Sequence, residues 1–333
     1  MLSARGTSWL TIVAAWALAG TVSGRQEKAA GSDPAGPAFL IQGEYEGSLG
    51  AQEKLAAQVV AEGEGAFTVV FLPGGLPGAG WDGTSRIEAK AATTEGKTVM
   101  TGAWTGTLAD GTLSGTNPDG RAFSLRRVIR KSPTLGARPP EGAQVLFDGS
   151  TADGWEPTRR SGGFKGLLVD DDGGKVLYQG AASKKAFRDC TLHVEFRMPF
   201  LPTLRKLTNS GVYVQGRYEV QILDTFAHES GHGVCGALYE VRAPAVNMCF
   251  PPLSWQTFDI EFRAARYGAD GKKTANARMA VRHNGVKVYD EVEIKDVTRQ
   301  AMLKEEDGPG PVYFQGTWGE HVHFRNIWLV EKP

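Results

Sequence analysis

The run Asn209-Ser210-Gly211-Val212-Tyr213-Val214-Gln215-Gly216-Arg217-Tyr218-Glu219-Val220-Gln221-Ile222-Leu223-Asp224 holds the residues best placed by type and spacing to do chemistry. It alternates as two strands about a tight turn containing Gly216. Successive side chains of a strand point to opposite faces. Glu219 and Gln221 therefore share one face, while Val220 and Ile222 share the other, the core side. A carboxylate beside an amide on the open face of a sheet points to sugar chemistry rather than packing.

The elements that must position these residues are strands. The 333-residue chain has 43 glycines and recurrent Asn-Gly, Asp-Gly and proline turn signals. Few segments keep a helical period, so the composition is that of an all-β protein. Lysine plus arginine equals aspartate plus glutamate, 37 each, which gives no clustered basic face for nucleic acid. The length allows two modest domains, each with its own core.

The N-terminus has the form of an export signal over residues 1–24. Arg5 precedes an apolar run from Trp9 to Ala19, and small residues follow, with cleavage expected near Ser23-Gly24 or Ala19-Gly20. The run is short of the ~20 residues that span a bilayer. An exported protein, periplasmic or extracellular, with no membrane contact after cleavage, is the expectation. Residues 25–37 read as a linker. Three cysteines remain, Cys190, Cys235 and Cys249. Their spacing matches no zinc pattern; Cys190 reads as a small core residue, and a Cys235–Cys249 disulfide would close a short loop.

Residues 38–131 read as a small β-rich domain, a barrel or sandwich, with a hairpin at Glu62-Gly63-Glu64-Gly65 and turns at Asp110-Gly111 and Asp119-Gly120. Trp81 lies in a glycine-proline loop, either closing a small core or stacking on a sugar. Residues 132–142, with Pro133, Pro139 and Pro140, read as a second linker. About ten further strand candidates follow over 143–333 without intervening helices, including a hairpin at Asn284-Gly285. That spacing argues for a two-sheet sandwich.

An ordered set of motifs in this second region resembles the 3-keto-disaccharide hydrolase domain family. It runs from Phe147-Asp148-Gly149 and Gly154-Trp155 through Leu192–Arg197, Asn209–Tyr213, Tyr218–Asp224, Gly236–Tyr239, Trp255–Phe258 and His283–Val286. It closes with Gly310–Gln315 and Phe324-Arg325-Asn326-Ile327. The resemblance implies a concanavalin-A-like jelly roll and action on a di- or oligosaccharide already oxidised at carbon 3, as lyase, hydratase or net hydrolase. The N-terminal unit resembles one found ahead of this domain in planctomycete-type secreted proteins. The family often has a histidine just after the Phe314-Gln315 position; here Gly316-Thr317-Trp318-Gly319 stands there, with His321 and His323 nearby.

Laminarinase-type jelly rolls carry paired carboxylates on such a strand, and a retaining glycosidase needs them about 5 Å apart. Glu219 and Asp224 meet that only if a bulge returns Asp224 to the face of Glu219. A 3-keto sugar needs less: one base takes the acidified proton from carbon 2, and the glycosidic oxygen then leaves by β-elimination. Glu219 is the expected base, with Asp224 or a histidine as proton donor, and Glu195 completes the catalytic candidates. Arg197, Lys184 or a bound divalent cation would stabilise the enolate. Gln221, Asn209, Ser210 and Tyr213 complete the substrate-binding candidates.

Bland readings stand beside these. Glu195 fits a hydrogen-bonded strand residue, Asn209-Ser210 turn chemistry, and Asp224 a backbone or cation ligand. Arg325-Asn326 would pin the closing strand, and His283 would sit exposed before its turn. His228 and His232 lie four apart in a loop without helical pattern. Two other functions remain in view: a non-catalytic, lectin-like carbohydrate-binding protein, and an adhesion scaffold bound through the N-terminal unit. The acidic residues favour an enzyme.

Overall fold

The computed structural model describes residues 36–158, 167–171, 173–317 and 322–332. The expected signal, most of the 25–37 linker, Trp318, Gly319 and His321 lie outside the described residues. Apart from a helix at Gly36–Ile41 and a single 3-10 turn, the regular elements are strands, as the composition implied. No described helix is long and apolar enough to cross a membrane.

The first unit is a closed antiparallel barrel of eight strands, from Gly43–Leu49 to Ala122–Val128, in which the first strand pairs with the last. Its interior is filled by Tyr45, Val59, Phe67, Val69, Phe71, Met100, Trp104, Phe123 and Leu125. Phe71 stacks on Trp104 at 4.2 Å and meets Phe123 edge-on at 5.2 Å. Gly106 and Gly115 face each other across one hairpin; a Cβ on Gly115 would fall 1.8 Å from the Thr105 carbonyl oxygen, so only glycine permits that approach.

The second unit is a sandwich of two antiparallel sheets. The smaller has five strands in the order Trp155–Pro157, Ala181–Phe187, Gly310–Phe314, Asn209–Val214 and Tyr218–Leu223. The larger has eight, with Cys190–Arg197 at its middle between His323–Glu331 and Trp255–Arg263. Leu192, Val194, Phe196, Phe258 and Ile260 of one sheet pack with Val212, Val214, Val220, Ile222 and Phe314 of the other. Phe314 is the hinge of that contact: its ring stacks on Phe324 at 3.9 Å and on Trp155 at 5.0 Å. Ala56, Val60, Val70, Leu72 and Leu76 of the barrel join the same apolar cluster, so the two units share a seam.

Between the units, residues 132–137 form a strap across the outer face of the larger sheet. Ser132 Oγ lies 2.6 Å from Thr257 Oγ1, and the Thr134 hydroxyl donates to Asp259. The Ala137 carbonyl accepts from the Asn326 and Trp328 side chains.

Three sequence readings find their outcome here. Cys190 is a buried core residue. Cys235 and Cys249 are buried free thiols in side-chain contact. Asn284-Gly285 forms the hairpin turn with φ of 50° and 80°, but His283 is fully buried rather than exposed, because its ring packs against Phe258 and Phe196. Burial holds its pKa down to about 3.

Phe314→Ala should destabilise the protein by about 3–5 kcal/mol, the range for a buried aromatic truncated to a cavity. Urea unfolding measures it; a loss under 1 kcal/mol would show that the two sheets do not rely on this stack.

Candidate active site

The hairpin Asn209–Val214/Tyr218–Leu223 turns through Gln215 and Gly216, at φ 55° and 63°. Its register pairs Tyr213 with Glu219, Gly211 with Gln221 and Asn209 with Leu223. These six residues share the outer face of the smaller sheet, while Val212, Val214, Val220 and Ile222 enter the core. The neighbouring strand adds Tyr313 and, one residue past its end, Gln315. Residues 297–301 lie over one end of this face, with Ala301 and Val297 against Tyr213 and Tyr313.

Glu219 is 1% exposed. The Tyr213 hydroxyl donates to its Oε2 at 2.5 Å and stands 2.9 Å from the Arg299 carbonyl oxygen, while the Gln315 amide donates to Tyr213 at 3.1 Å. The Glu219 backbone N–H donates to Thr298 Oγ1 at 3.0 Å. The carboxyl itself lies over Gly211, where a Cβ would come within 2.3 Å of Oε1. Gly211 is therefore part of the site: it makes the room into which Glu219 folds.

Five acidic residues are buried among the described residues: Glu44, Asp189, Glu195, Glu219 and Asp224. Four pair with an arginine, in the couples Glu44–Arg130, Asp189–Arg266, Glu195–Arg325 and Asp224–Arg205. Glu219 has a tyrosine instead. Desolvation without a compensating cation raises its pKa to about 8, against the lowering effect of Tyr213 and with a further rise from the nearby Glu240. Tyr213 has one proton for two acceptors. Both are served when Glu219 is itself protonated and donates to the Tyr213 oxygen.

Beside Glu219, the side-chain oxygens of Gln221 and Asn209 are buried without a hydrogen-bond partner. Unpaired buried acceptors are rare in folded proteins. Both lie on the same face of the smaller sheet as Glu219.

The structure thus brings together Glu219, Gln221, Asn209 and Tyr213, and places Ser210, Asp224, Glu195 and Arg197 elsewhere. Ser210 points into the sandwich and donates to the Gln315 carbonyl. The Asn209–Val214/Tyr218–Leu223 register is unbroken, so no bulge returns Asp224 to the face of Glu219. Asp224 instead takes both ends of the Arg205 guanidinium, at 2.9 and 3.0 Å. Lys184 is exposed at an irregular step in the strand Ala181–Phe187.

Glu195 and Arg197 are on the other sheet. Glu195 accepts from Gly136 N–H of the strap (2.5 Å), Arg325 (2.7 Å) and Asn326 (2.8 Å). Desolvation opposes its charge, but these donors and His193 outweigh it and hold the pKa down to about 2. Arg197 pairs with Asp171 and lies over Trp255. His323 stands on this sheet too, 3.3 Å from Asp171. Glu195 is a structural carboxylate that anchors the strap, and Arg325-Asn326 anchor it in turn. Among the described residues no group of three or more His, Cys, Asp and Glu side chains is placed to hold a metal ion.

Sequence reasoning did not assign roles to Gly211, Gln315 or Tyr313. The alternation that put Glu219 and Gln221 on one face also applies to Tyr313 and Gln315; what it lacked was the adjacency of the strands.

The domain family described as 3-keto-alpha-glucoside-1,2-lyase-like matches residues 142–330, the sandwich without the barrel. No curated protein matches the chain. Among solved structures, a protein of Parabacteroides distasonis, provisionally described as a glycosyl hydrolase, is 29% identical with a TM-score of 0.49. That alignment covers 58% of this chain and 85% of the other. A second protein so described from the same organism is 16% identical with a TM-score of 0.42, over 62% and 99%.

The pKa of Glu219 carries a stability signature. An unfolded glutamate ionises near 4.5 and the folded one near 8. Between these values the unfolded chain has lost a proton that the fold retains, so this group's contribution to stability falls as pH rises and levels off above about 8. Glu219→Gln should flatten that dependence, gaining on wild type from pH 5 to pH 8. Melting temperatures across that range test it; parallel curves for the two proteins would mean that Glu219 ionises normally.

Proposed function

Since this chain belongs, through residues 142–330, to the 3-keto-alpha-glucoside-1,2-lyase-like domain family, we propose that it cleaves 3-keto-glycosides by elimination, with Glu219 as the proton carrier. The family gives the coarser statement directly: this is a glycoside-processing domain and its substrate is a sugar. The observation that supports the finer one is Glu219 itself, the buried carboxyl without a cation.

The ketone at carbon 3 acidifies the hydrogen on carbon 2. Ionised Glu219 takes that proton, and the electron pair of the C–H bond moves into an enolate. The enolate re-forms the ketone as a carbon 1–carbon 2 double bond develops and the bond from carbon 1 to the glycosidic oxygen breaks. The departing oxygen needs one proton, and Glu219 now holds one. A carboxyl with a pKa of about 8 is a stronger base than an ordinary glutamate and still parts with the proton afterwards. Water then adds across the double bond, its hydroxyl to carbon 1 and its hydrogen to carbon 2, and the sum is hydrolysis. One carboxyl serves both transfers, so Asp224 is not needed as donor.

Gln221 and Asn209 orient the sugar by accepting from its hydroxyls; Tyr213, held by Gln315, orients Glu219. Arg197 is on the other sheet, so the enolate stabiliser would be Lys184 of the smaller sheet or a divalent cation. The signal-like residues 1–24 support export, so the sugar would be met in the periplasm or outside the cell.

The purified protein should release glucose from 3-keto-trehalose or 3-keto-lactose, with EDTA reporting any metal requirement. Glu219→Gln should lower kcat by about 10²–10⁴, the usual contribution of a general base or acid. As base, Glu219 gives a kcat/KM that rises with pH and levels near 8; a falling limb there would make it the acid. Saturable binding of an unoxidised glycan with no release from either ketone would replace this reading with the lectin-like one.

A further inference from the structure

A cavity of about 410 Å³ opens at the junction of barrel and sandwich, away from the face of Glu219. Its volume is that of a small-molecule site. Its walls are Phe39, Val128, Ile129, Leu135, Leu253 and Trp255. Ile129 at its rim is 76% exposed.

The charges at this cavity do not balance. Arg127, Arg130, Lys131 and Arg325 line it, against the single carboxylate of Glu44. Glu44 is engaged by Arg130 at 2.6 and 2.7 Å, and Arg325 is engaged by Glu195. Among the described residues the Arg127 side chain donates to the carbonyl oxygens of Phe39 and Gln42 and pairs with no carboxylate. Lys131 is exposed and makes no hydrogen bond or ion pair among the described residues. Two positive charges are thus left beside hydrocarbon walls, where a weakly screened anion gains more than in water. A neutral sugar would meet mostly hydrocarbon here.

We propose that this cavity binds an apolar organic anion, a carboxylate on an aromatic or branched aliphatic body. The body fills the space between Ile129, Leu253 and Trp255, and the carboxylate meets Lys131 and Arg127. Both units contribute walls, so the ligand also ties the barrel to the sandwich.

Isothermal titration of the full chain with 4-phenylbutyrate tests this, with 4-phenylbutan-1-ol as the neutral isostere. One carboxylate should bind per chain, at least tenfold tighter than the alcohol, and weaken with salt. Lys131→Glu and Ile129→Asp, both at exposed positions, should each reduce affinity at least tenfold with an unchanged circular dichroism spectrum. Glu219→Gln should leave binding intact. Absence of binding at millimolar ligand, equal affinity for the alcohol, retention in both junction variants, or loss in Glu219→Gln would each overturn the proposal.

Discussion

The site is organised by one constraint: a carboxyl group is buried without a cation. Four other buried acids solve the same problem with an arginine, and a carboxylate so paired stays ionised and resists protonation. Glu219 is stabilised by a single tyrosine hydroxyl, itself shared with Arg299. Its two protonation states lie close together near neutral pH, which is what proton transfer needs. Everything around it serves that balance. Gly211 makes the room, Thr298 holds the strand, and the 297–301 segment keeps water from solvating the charge.

The contrast with Glu195 shows that burial alone does not set the protonation of a carboxyl. The two glutamates are equally buried, yet their pKa values move in opposite directions, to about 8 and about 2. The difference is the count of donors. Glu195 takes an arginine, an asparagine and a backbone N–H, with His193 beside it. Replacing any one leaves a buried charge under-satisfied, a structural loss. Since the two stand on opposite sheets, no single sugar lies between them.

Much of this was legible in the sequence because strand alternation is local. Glu219 and Gln221 on one face, the Asn284-Gly285 turn, the closed set of β elements and the family motifs all follow from residues within a few positions of one another. What was not legible is long-range. His283 precedes an ordinary hairpin turn, but Phe258 and Phe196 close over it. Asp224 follows the right strand, but Arg205, nineteen residues earlier, claims it. Residues 132–142 have the prolines of a tether, but hydrogen-bond partners on the larger sheet turn 132–137 into a strap. In each case a partner distant in sequence decided the outcome, and composition does not encode partners.

The same alternation couples the site to the core. In the strand Gly310–Phe314, Phe314 points inward and stacks on Phe324 and Trp155. Its neighbours Tyr313 and Gln315 point outward, toward Tyr213. Any slip in the packing of Phe314 rotates both away from Glu219, because a strand cannot move one face alone. The burial of Glu219 is itself destabilising above the pH where a free glutamate ionises. The stacked aromatic core beneath it offsets that strain. The face of Glu219 and the stability of the sandwich are therefore two sides of one strand, and a substitution that relaxes the core is expected to alter the protonation of Glu219 before it unfolds the protein.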